Sequence, residues 1–281
     1  MECFIDGART PSQSRLAALL NAWRIRGDRR AHYCAGYVMA TDTVLLTARA
    51  GRFLDSAWVL RLLDQWAEYY LITVEPEGDD LSLVTPPAWA DAHGAAALHS
   101  TTAAEALMLG VNAHVNNDLP QALCAVLGDE WPLSAQGLER RRADFDKLVG
   151  VVADTMDSVQ TLVTRFDAKL LRSQPSNYVA SLTTWDVNRL CDSWHGGIWE
   201  DALSLLTAVD LVWATAIREG IECTATRRAH LLMCTLEDRE SLVLLPGGAL
   251  DQAFPHRHGT VRCRLRRTPP VWGDPVATSR L

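Results

Sequence analysis

Residues 102–123 read TAAEALMLGVNAHVNNDLPQAL, a helical pattern that turns from apolar to polar along its length. Thr102 and Glu105 have the spacing of a capping box, in which each side chain accepts a hydrogen bond from the other residue's backbone N–H at a helix start. Residues at steps of three and four then share one helical face: Leu107, Gly110, Val111, His114 and Asp118. This stretch predicts a central helix with a polar end.

Four polar side chains cluster at that end. His114 and Asp118 are four residues apart and can contact each other, and Asn112 and Asn116 lie on neighbouring rows. Pro120 cannot donate a backbone hydrogen bond and disfavours helical backbone at the preceding residue, so we expect the helix to kink or stop at the cluster. Burying such groups unpaired costs about 1–3 kcal/mol each. Two interpretations follow: a helix C-terminal cap with a structural histidine, or a polar pocket built into a helical core.

Length and composition fit a globular protein without a membrane span. The chain has 281 residues, of which 48% are hydrophobic, and no run of 18 apolar residues. Its net charge of −7 argues against a nucleic-acid-binding surface. The N-terminus MECFIDG lacks the pattern of a signal peptide, and seven scattered cysteines without a C-x-x-C pair favour the reducing cytoplasm. The oligomeric state stays open, with a homodimer as one option.

Helical patterns extend along most of the chain. They predict helices that begin at Thr10–Pro11 and cover residues 31–49, 56–71, 135–171 and 185–218, with a loop and one short helix over 75–100. Alternating strands, βαβ units and repeats do not occur. We therefore predict an all-α fold, a single multi-helix orthogonal bundle over residues 1–220. Residues 221–281 are expected to form a less ordered C-terminal extension that packs on the bundle or is partly disordered.

Aromatic residues supply candidates for a ligand pocket. The chain contains ten tryptophans, and such side chains both pack helices together and line apolar cavities. Trp66, Tyr70 and Trp194 are the candidates to line a cavity between helices. His195 is followed by two glycines, which either allow close helix packing or leave room for a ligand beside His195.

Five segments resemble one known family: AGRFLDSAWVLRLLD at residues 50–64, PPAW at 86–89, GVNAHVNNDLPQAL at 110–123, DFDKLVGVV at 144–152 and WDVNRLCDSW at 185–194. That family is largely actinobacterial, all-helical and known only as a domain of unknown function, with the hallmark N-A-H-I-N-x-D-L-P. The resemblance covers residues 30–215. It implies the helical fold and the polar pocket, but no reaction. Family members often have a basic residue where this chain has Asn117.

A weaker similarity is to the zinc-dependent phospholipase C and single-strand nuclease group, whose helices read H-x-x-G-D-x-x-x-P-L-H. His114, Asp118 and Pro120 match part of this pattern, while Asn117 replaces the glycine and no histidine follows the proline. The similarity implies zinc bound by His114 and Asp118. Zinc takes at least three protein ligands. The candidates for the third ligand are His99, His195, Asp144 and Asp146.

Three hypotheses for function follow. The first is a cofactor-independent enzyme acting on a small-molecule substrate, a natural-product tailoring cyclase, isomerase or hydrolase. His114, with its usual pKa of about 6.5, would be the general acid/base, Asp118 would orient its ring, and Asn112 and Asn116 would bind substrate oxygens. The second is a zinc-dependent phosphoester hydrolase in which a metal-bound water attacks. The third is a non-catalytic binding protein whose polar helix end is structural.

Overall fold

The computed structural model describes residues 9–74, 85–98, 101–167 and 184–233. The predicted all-α class is confirmed, because these ranges form nine α-helices and one π-helical turn, with no strand. In chain order the elements are α1 (Pro11–Arg26), α2 (Ala31–Arg49), α3 (Ser56–Val74), α4 (Pro87–Ala97), α5 (Ala103–Ala113), the π turn (His114–Asp118), α6 (Leu119–Gly128), α7 (Ala135–Asp167), α8 (Thr184–Leu206) and α9 (Leu211–Leu232). None of these helices is both long and apolar enough to cross a membrane.

Two capping boxes start helices where the sequence predicts them. In α1, Gln13 N–H donates to Thr10 Oγ1 at 3.3 Å, and Thr10 N–H donates to Gln13 Oε1 at 3.0 Å. In α5, Glu105 N–H donates to Thr102 Oγ1 at 3.1 Å, and Thr102 N–H donates to Glu105 Oε2 at 2.8 Å. Each box gives partners to backbone groups that the helix itself leaves unpaired.

The helical path is interrupted at the polar cluster, as the proline predicts, but it does not stop there. Helix α5 ends at Ala113, and a π turn leads directly into α6. The backbone N–H of Leu119 donates to the carbonyl oxygen of His114, five residues back, which closes the wider turn. Pro120 then lies in the first turn of α6, where a missing N–H costs nothing.

Helix α5 lies at the centre of the bundle. It packs against α2, α4, α7 and α9, whereas α6 packs against α3 and α8. The buried apolar side chains form two core clusters. One cluster joins α1, α2 and α4 to α5 and includes Leu16, Tyr33, Tyr70, Trp89 and Leu109. The other surrounds α6 and includes Trp58, Trp66, Leu123, Phe145 and Trp194. The π turn therefore connects the helices of the two clusters.

The C-terminal helices differ from the prediction of one helix over residues 185–218. Helix α8 ends at Leu206 and α9 begins at Leu211, because the Asp210 side chain accepts a hydrogen bond from the N–H of Trp213 at 2.7 Å and starts a new helix. Helix α9 runs through residue 220 to Leu232 and buries Ala225. The predicted boundary at residue 220 therefore falls inside a helix. Residues 234–281, most of the predicted extension, lie outside the described ranges.

The close approach of α2 and α5 depends on Gly110. A Cβ atom added at Gly110 would overlap ring carbons of Tyr33. We expect Gly110→Ala to lower the free energy of unfolding by about 1–3 kcal/mol through overpacking, despite the higher helix propensity of alanine. Urea unfolding measures the change. The matched control is Gly150→Ala in α7, where an added Cβ meets nothing within 4 Å and should stabilise by up to about 1 kcal/mol. Equal stabilisation by both variants would contradict the tight α2–α5 contact.

Candidate functional site

The π turn holds a buried His–Asp pair. The Nδ1 atom of His114 lies 2.9 Å from Oδ2 of Asp118, and the two side chains are 2% and 1% exposed. Two further groups donate to the same carboxylate: Trp89 Nε1 to Oδ2 at 2.8 Å, and Asn117 Nδ2 to Oδ1 at 2.8 Å. The predicted contact between His114 and Asp118 is therefore present. Its supports, Trp89 and Asn117, were not among the predicted site residues.

These contacts fix the tautomer of His114. The indole N–H of Trp89 and the amide N–H of Asn117 can only donate, so Asp118 serves as an acceptor for both. Nδ1 of His114 then carries the hydrogen and donates to Asp118. Nε2 is left with a lone pair, and this buried atom has no hydrogen-bond partner among the described residues. The pair thus presents one unused, proton-accepting nitrogen.

Burial decides the charge of His114. Removal from water lowers the pKa of His114, and the hydrogen bond and charge of Asp118 oppose this effect without cancelling it. The histidine is therefore neutral near pH 7, and its usual pKa of about 6.5 does not apply in the folded protein. A neutral imidazole whose Nδ1 is held by a carboxylate can accept a proton at Nε2.

Aromatic rings surround the imidazole. Trp66 stacks on it, with ring centroids 4.3 Å apart and an interplanar angle of 6°, and Trp66 Nε1 donates to the backbone oxygen of His114 at 2.9 Å. Tyr37 meets it edge-on at 4.4 Å between centroids. Three more rings lie about 6 Å away: Tyr33, Tyr70 and Trp89. The structure thus brings the predicted Trp66 and Tyr70 to His114. It adds Tyr33 and Tyr37 from α2, whose only sequence signal was their place in an apolar helical pattern, and Trp89 from α4, which stood in the PPAW segment of the family resemblance.

A cavity of about 50 Å³ adjoins His114. Its walls come from α2, α3, α5, the π turn and α7, and they include Tyr33, Tyr37, Trp66, His114 and Met156. No Asp, Glu, Lys or Arg is among the described residues that line it. Nearly all of its lining surface is apolar, so the space suits a small apolar group better than water, which needs two to four polar partners.

The two asparagines use their amide groups within the protein. Asn116 Nδ2 donates to Asn112 Oδ1 at 3.0 Å, and Asn112 Nδ2 donates to the backbone oxygen of Ala225 at 2.8 Å. Arg228 of α9 donates to Asn116 Oδ1 at 2.6 Å and places its guanidinium 5.3 Å from the centre of the Trp194 ring. Asn112, Asn116 and Trp194 therefore form the contact with α9 and do not line the cavity beside His114.

The candidates for a third metal ligand lie elsewhere. His195 Nε2 is 2.8 Å from Asp146 Oδ1, away from the cavity lining. The buried Asp144 accepts backbone hydrogen bonds from Leu54 at 2.7 Å and Asp55 at 2.8 Å, at the start of α3. Nowhere in the described ranges do three His, Cys, Asp or Glu side chains come together as a metal site would require. His99 falls outside those ranges.

The low pKa of His114 makes stability depend on pH. Burial also lowers the pKa of His93 to about 4, so both histidines bind protons more readily in the unfolded chain. The free energy of unfolding is therefore highest above about pH 6.5 and falls as the pH drops below it. We expect His114→Gln to remove up to about 1.4 kcal/mol per pH unit from this slope between pH 6.5 and 5, measured by urea unfolding.

A control separates this linkage from a general loss of stability. Leu127 is fully buried in the core around α6, so Leu127→Ala should lower stability by about 2–5 kcal/mol at every pH while keeping the wild-type slope. A His114→Gln variant with the same slope as wild type would show that His114 is not held neutral by the fold.

Comparison with known proteins agrees with the resemblance at the level of the family. Neither the curated proteins nor the solved structures contain a significant match. One family model matches residues 13–235, which extends beyond the predicted 30–215 at both ends and includes all of α9. With most of its length covered by that model, the chain belongs to the family of unknown function DUF5995.

Proposed function

We propose that this protein is a cofactor-independent enzyme that performs acid/base chemistry on a small molecule, as a cyclase, isomerase or hydrolase of natural-product tailoring. The observation that carries the proposal is Nε2 of His114, a buried proton acceptor that has no hydrogen-bond partner among the described residues and belongs to a residue that lines a cavity. Leaving such an atom unpaired costs about 1–3 kcal/mol. A fold that keeps this cost in its core, with the other ring nitrogen held by Asp118, suits a catalytic base.

Each neighbour of His114 has a role in this chemistry. His114 takes a proton from the substrate at Nε2 and later returns it. Asp118 keeps Nδ1 protonated and stabilises the imidazolium that forms. Trp66 stacks on the imidazole face, which restrains the ring and places an electron-rich surface against the transient positive charge. The apolar walls exclude bulk water, so these electrostatic interactions are stronger than they are in solution.

The zinc-dependent phosphoester hydrolase has less support. Both oxygens of Asp118 already accept hydrogen bonds, from His114, Trp89 and Asn117. The pair therefore offers a metal only one uncommitted donor atom, Nε2 of His114. The third hypothesis, a non-catalytic binding protein, does not explain why Nε2 of His114 has no hydrogen-bond partner among the described residues.

The proposal also covers other members of the family and the cellular compartment in which the reaction takes place. We infer that the hallmark N-A-H-I-N-x-D-L-P carries the same His–Asp pair in largely actinobacterial members. The reaction would take place in the cytoplasm, in keeping with free thiols at Cys34 and Cys124.

A comparison of variants on a mixture of small metabolites tests the proposed function. The wild-type protein in D2O should change the mass of specific compounds, by conversion or by deuterium uptake, in an untargeted mass-spectrometric assay. His114→Gln should slow this change by about 10²–10⁴-fold, because it removes the base. Its thermal midpoint should stay within a few degrees of wild type. The reaction should persist after dialysis against a chelator.

The matched control is His230→Gln, a histidine on α9 whose side chain is 63% exposed. This variant should retain wild-type turnover. If His114→Gln loses folding and turnover together, or if it retains turnover, His114 is a structural histidine and not the base.

A further inference from the structure

The cavity beside His114 has walls of hydrocarbon. Aliphatic side chains form much of its lining, among them Leu63 of α3, Val111 of α5 and Val159 of α7. A space of this kind stays dry, since it offers water no hydrogen-bond partners, and it takes up apolar molecules instead. The chemistry of the walls therefore selects a hydrocarbon occupant.

The polar groups of the lining residues contribute almost nothing to the cavity surface. Thr41 Oγ1 donates to the backbone oxygen of Val38 at 3.0 Å, and Trp66 Nε1 donates to that of His114 at 2.9 Å. The hydroxyl of Tyr37 and Nε2 of His114 are inaccessible to water. These residues thus present carbon atoms to an occupant, and a charged or hydroxylated group placed there would lose its hydrogen bonds.

Small residues on α2 leave the space open. Gly36 and Ala40 are four residues apart in this helix, and both line the cavity. Packing accounts for Gly36, because a Cβ atom added there would lie 2.9 Å from Cγ1 of Val159 in α7. Ala40 borders the cavity with a single methyl group, so a longer side chain at this position would fill it. An empty space in a core forfeits dispersion contacts, which an apolar occupant restores.

We propose that this cavity binds the hydrocarbon end of the substrate, a group of about two or three carbon atoms such as ethyl or isopropyl. The existence of a substrate rests on the proposed function, whereas the affinity for hydrocarbon rests on the cavity alone. A cavity of about 150 Å³ holds benzene, so a space of about 50 Å³ takes a correspondingly smaller group. This group anchors the substrate beside the imidazole and takes no part in the proton transfer.

The most accessible part of the lining is also apolar. Val111, Val115 and Val152 are partly exposed, and the other lining residues are buried. Val111 and Val115 belong to α5 and the π turn, and Val152 belongs to α7, which packs against α5. A substrate longer than the cavity would pass its alkyl end between these valines and keep its polar part nearer to solvent.

Propane is the probe for this site, and binding is read from the methyl signals of Val111, Met156 and Val159 in the NMR spectrum. We expect saturable shifts of these signals with propane. Ethanol has nearly the shape of propane with one polar end, and it should bind at least about tenfold more weakly because its hydroxyl finds no partner. Benzene is too large and should leave the signals unchanged. A lack of saturable propane binding, or ethanol binding of equal strength, would overturn the proposal.

Two variants change the size of the cavity in opposite directions. Ala40→Leu fills the space and should abolish propane binding. Met156→Ala, at a buried position of the lining, enlarges it and should allow benzene to bind. The matched control is Ala216→Leu, at an exposed position of α9 outside the lining, which should bind propane as wild type does.

The enlarged variant keeps the test decisive if the overpacked one does not fold. Folded Ala40→Leu protein that still binds propane would overturn the assignment of the site. If Ala40→Leu fails to fold, Met156→Ala decides: benzene binding that wild type lacks supports the site, and its absence in folded protein contradicts it.

Turnover is read separately from binding. In the metabolite assay, Ala40→Leu should raise KM about tenfold or more for the converted compound and change kcat little, because it removes the anchor and leaves the base. Propane binding without any turnover would contradict the enzyme and support the hydrocarbon site. Turnover that depends on His114, without propane binding, would contradict the hydrocarbon site alone.

Discussion

The carboxylate of Asp118 is the constraint on which the centre of this molecule depends. A carboxylate with 1% exposure is tolerated only when hydrogen bonds replace the water it has lost. Asp118 obtains them from His114 and Asn117 in its own turn and from Trp89 in α4. These bonds fix α4 against the π turn and fix the orientation and tautomer of the imidazole. The same bonds that satisfy the carboxylate thus leave Nε2 of His114 as the ring nitrogen with no partner among the described residues.

The π turn shows how a local irregularity is stabilised by distant contacts. Pro120 has no N–H to give to the carbonyl of Asn116, so a regular α-helix would lose one hydrogen bond at this place. The chain instead uses a wider turn, which is uncommon in regular helices and frequent at functional sites. The carbonyl of His114 accepts from both Leu119 and the indole of Trp66 in α3. Tertiary contacts therefore hold a backbone geometry that local propensity would disfavour.

The sequence predicted those contacts of this site that join residues a few positions apart along the chain. The capping box at Thr102, the contact of His114 with Asp118 and the interruption near Pro120 each depend on residues within a few positions. Periodicity shows that a helix has an apolar face but not which helix covers it, so the ring of Tyr37 and the guanidinium of Arg228 were missed. For the same reason the sequence could not show the partners of the two asparagines within the protein, which are 112 and 113 residues away.

That separation also bears on how the protein is made. The partners of Asn112 and Asn116 are in α9, so at about 5–20 residues per second they leave the ribosome roughly 6–20 s after the asparagines themselves. During this interval the end of α5 has the apolar surface of a core helix, but Nδ2 of Asn112 and Oδ1 of Asn116 still lack their partners from α9. The growing protein can dock α2, α4 and α5 early, whereas burial of the asparagine pair must wait for the last described helix. The polar contacts at the end of α5 are therefore completed only once α9 has been synthesised.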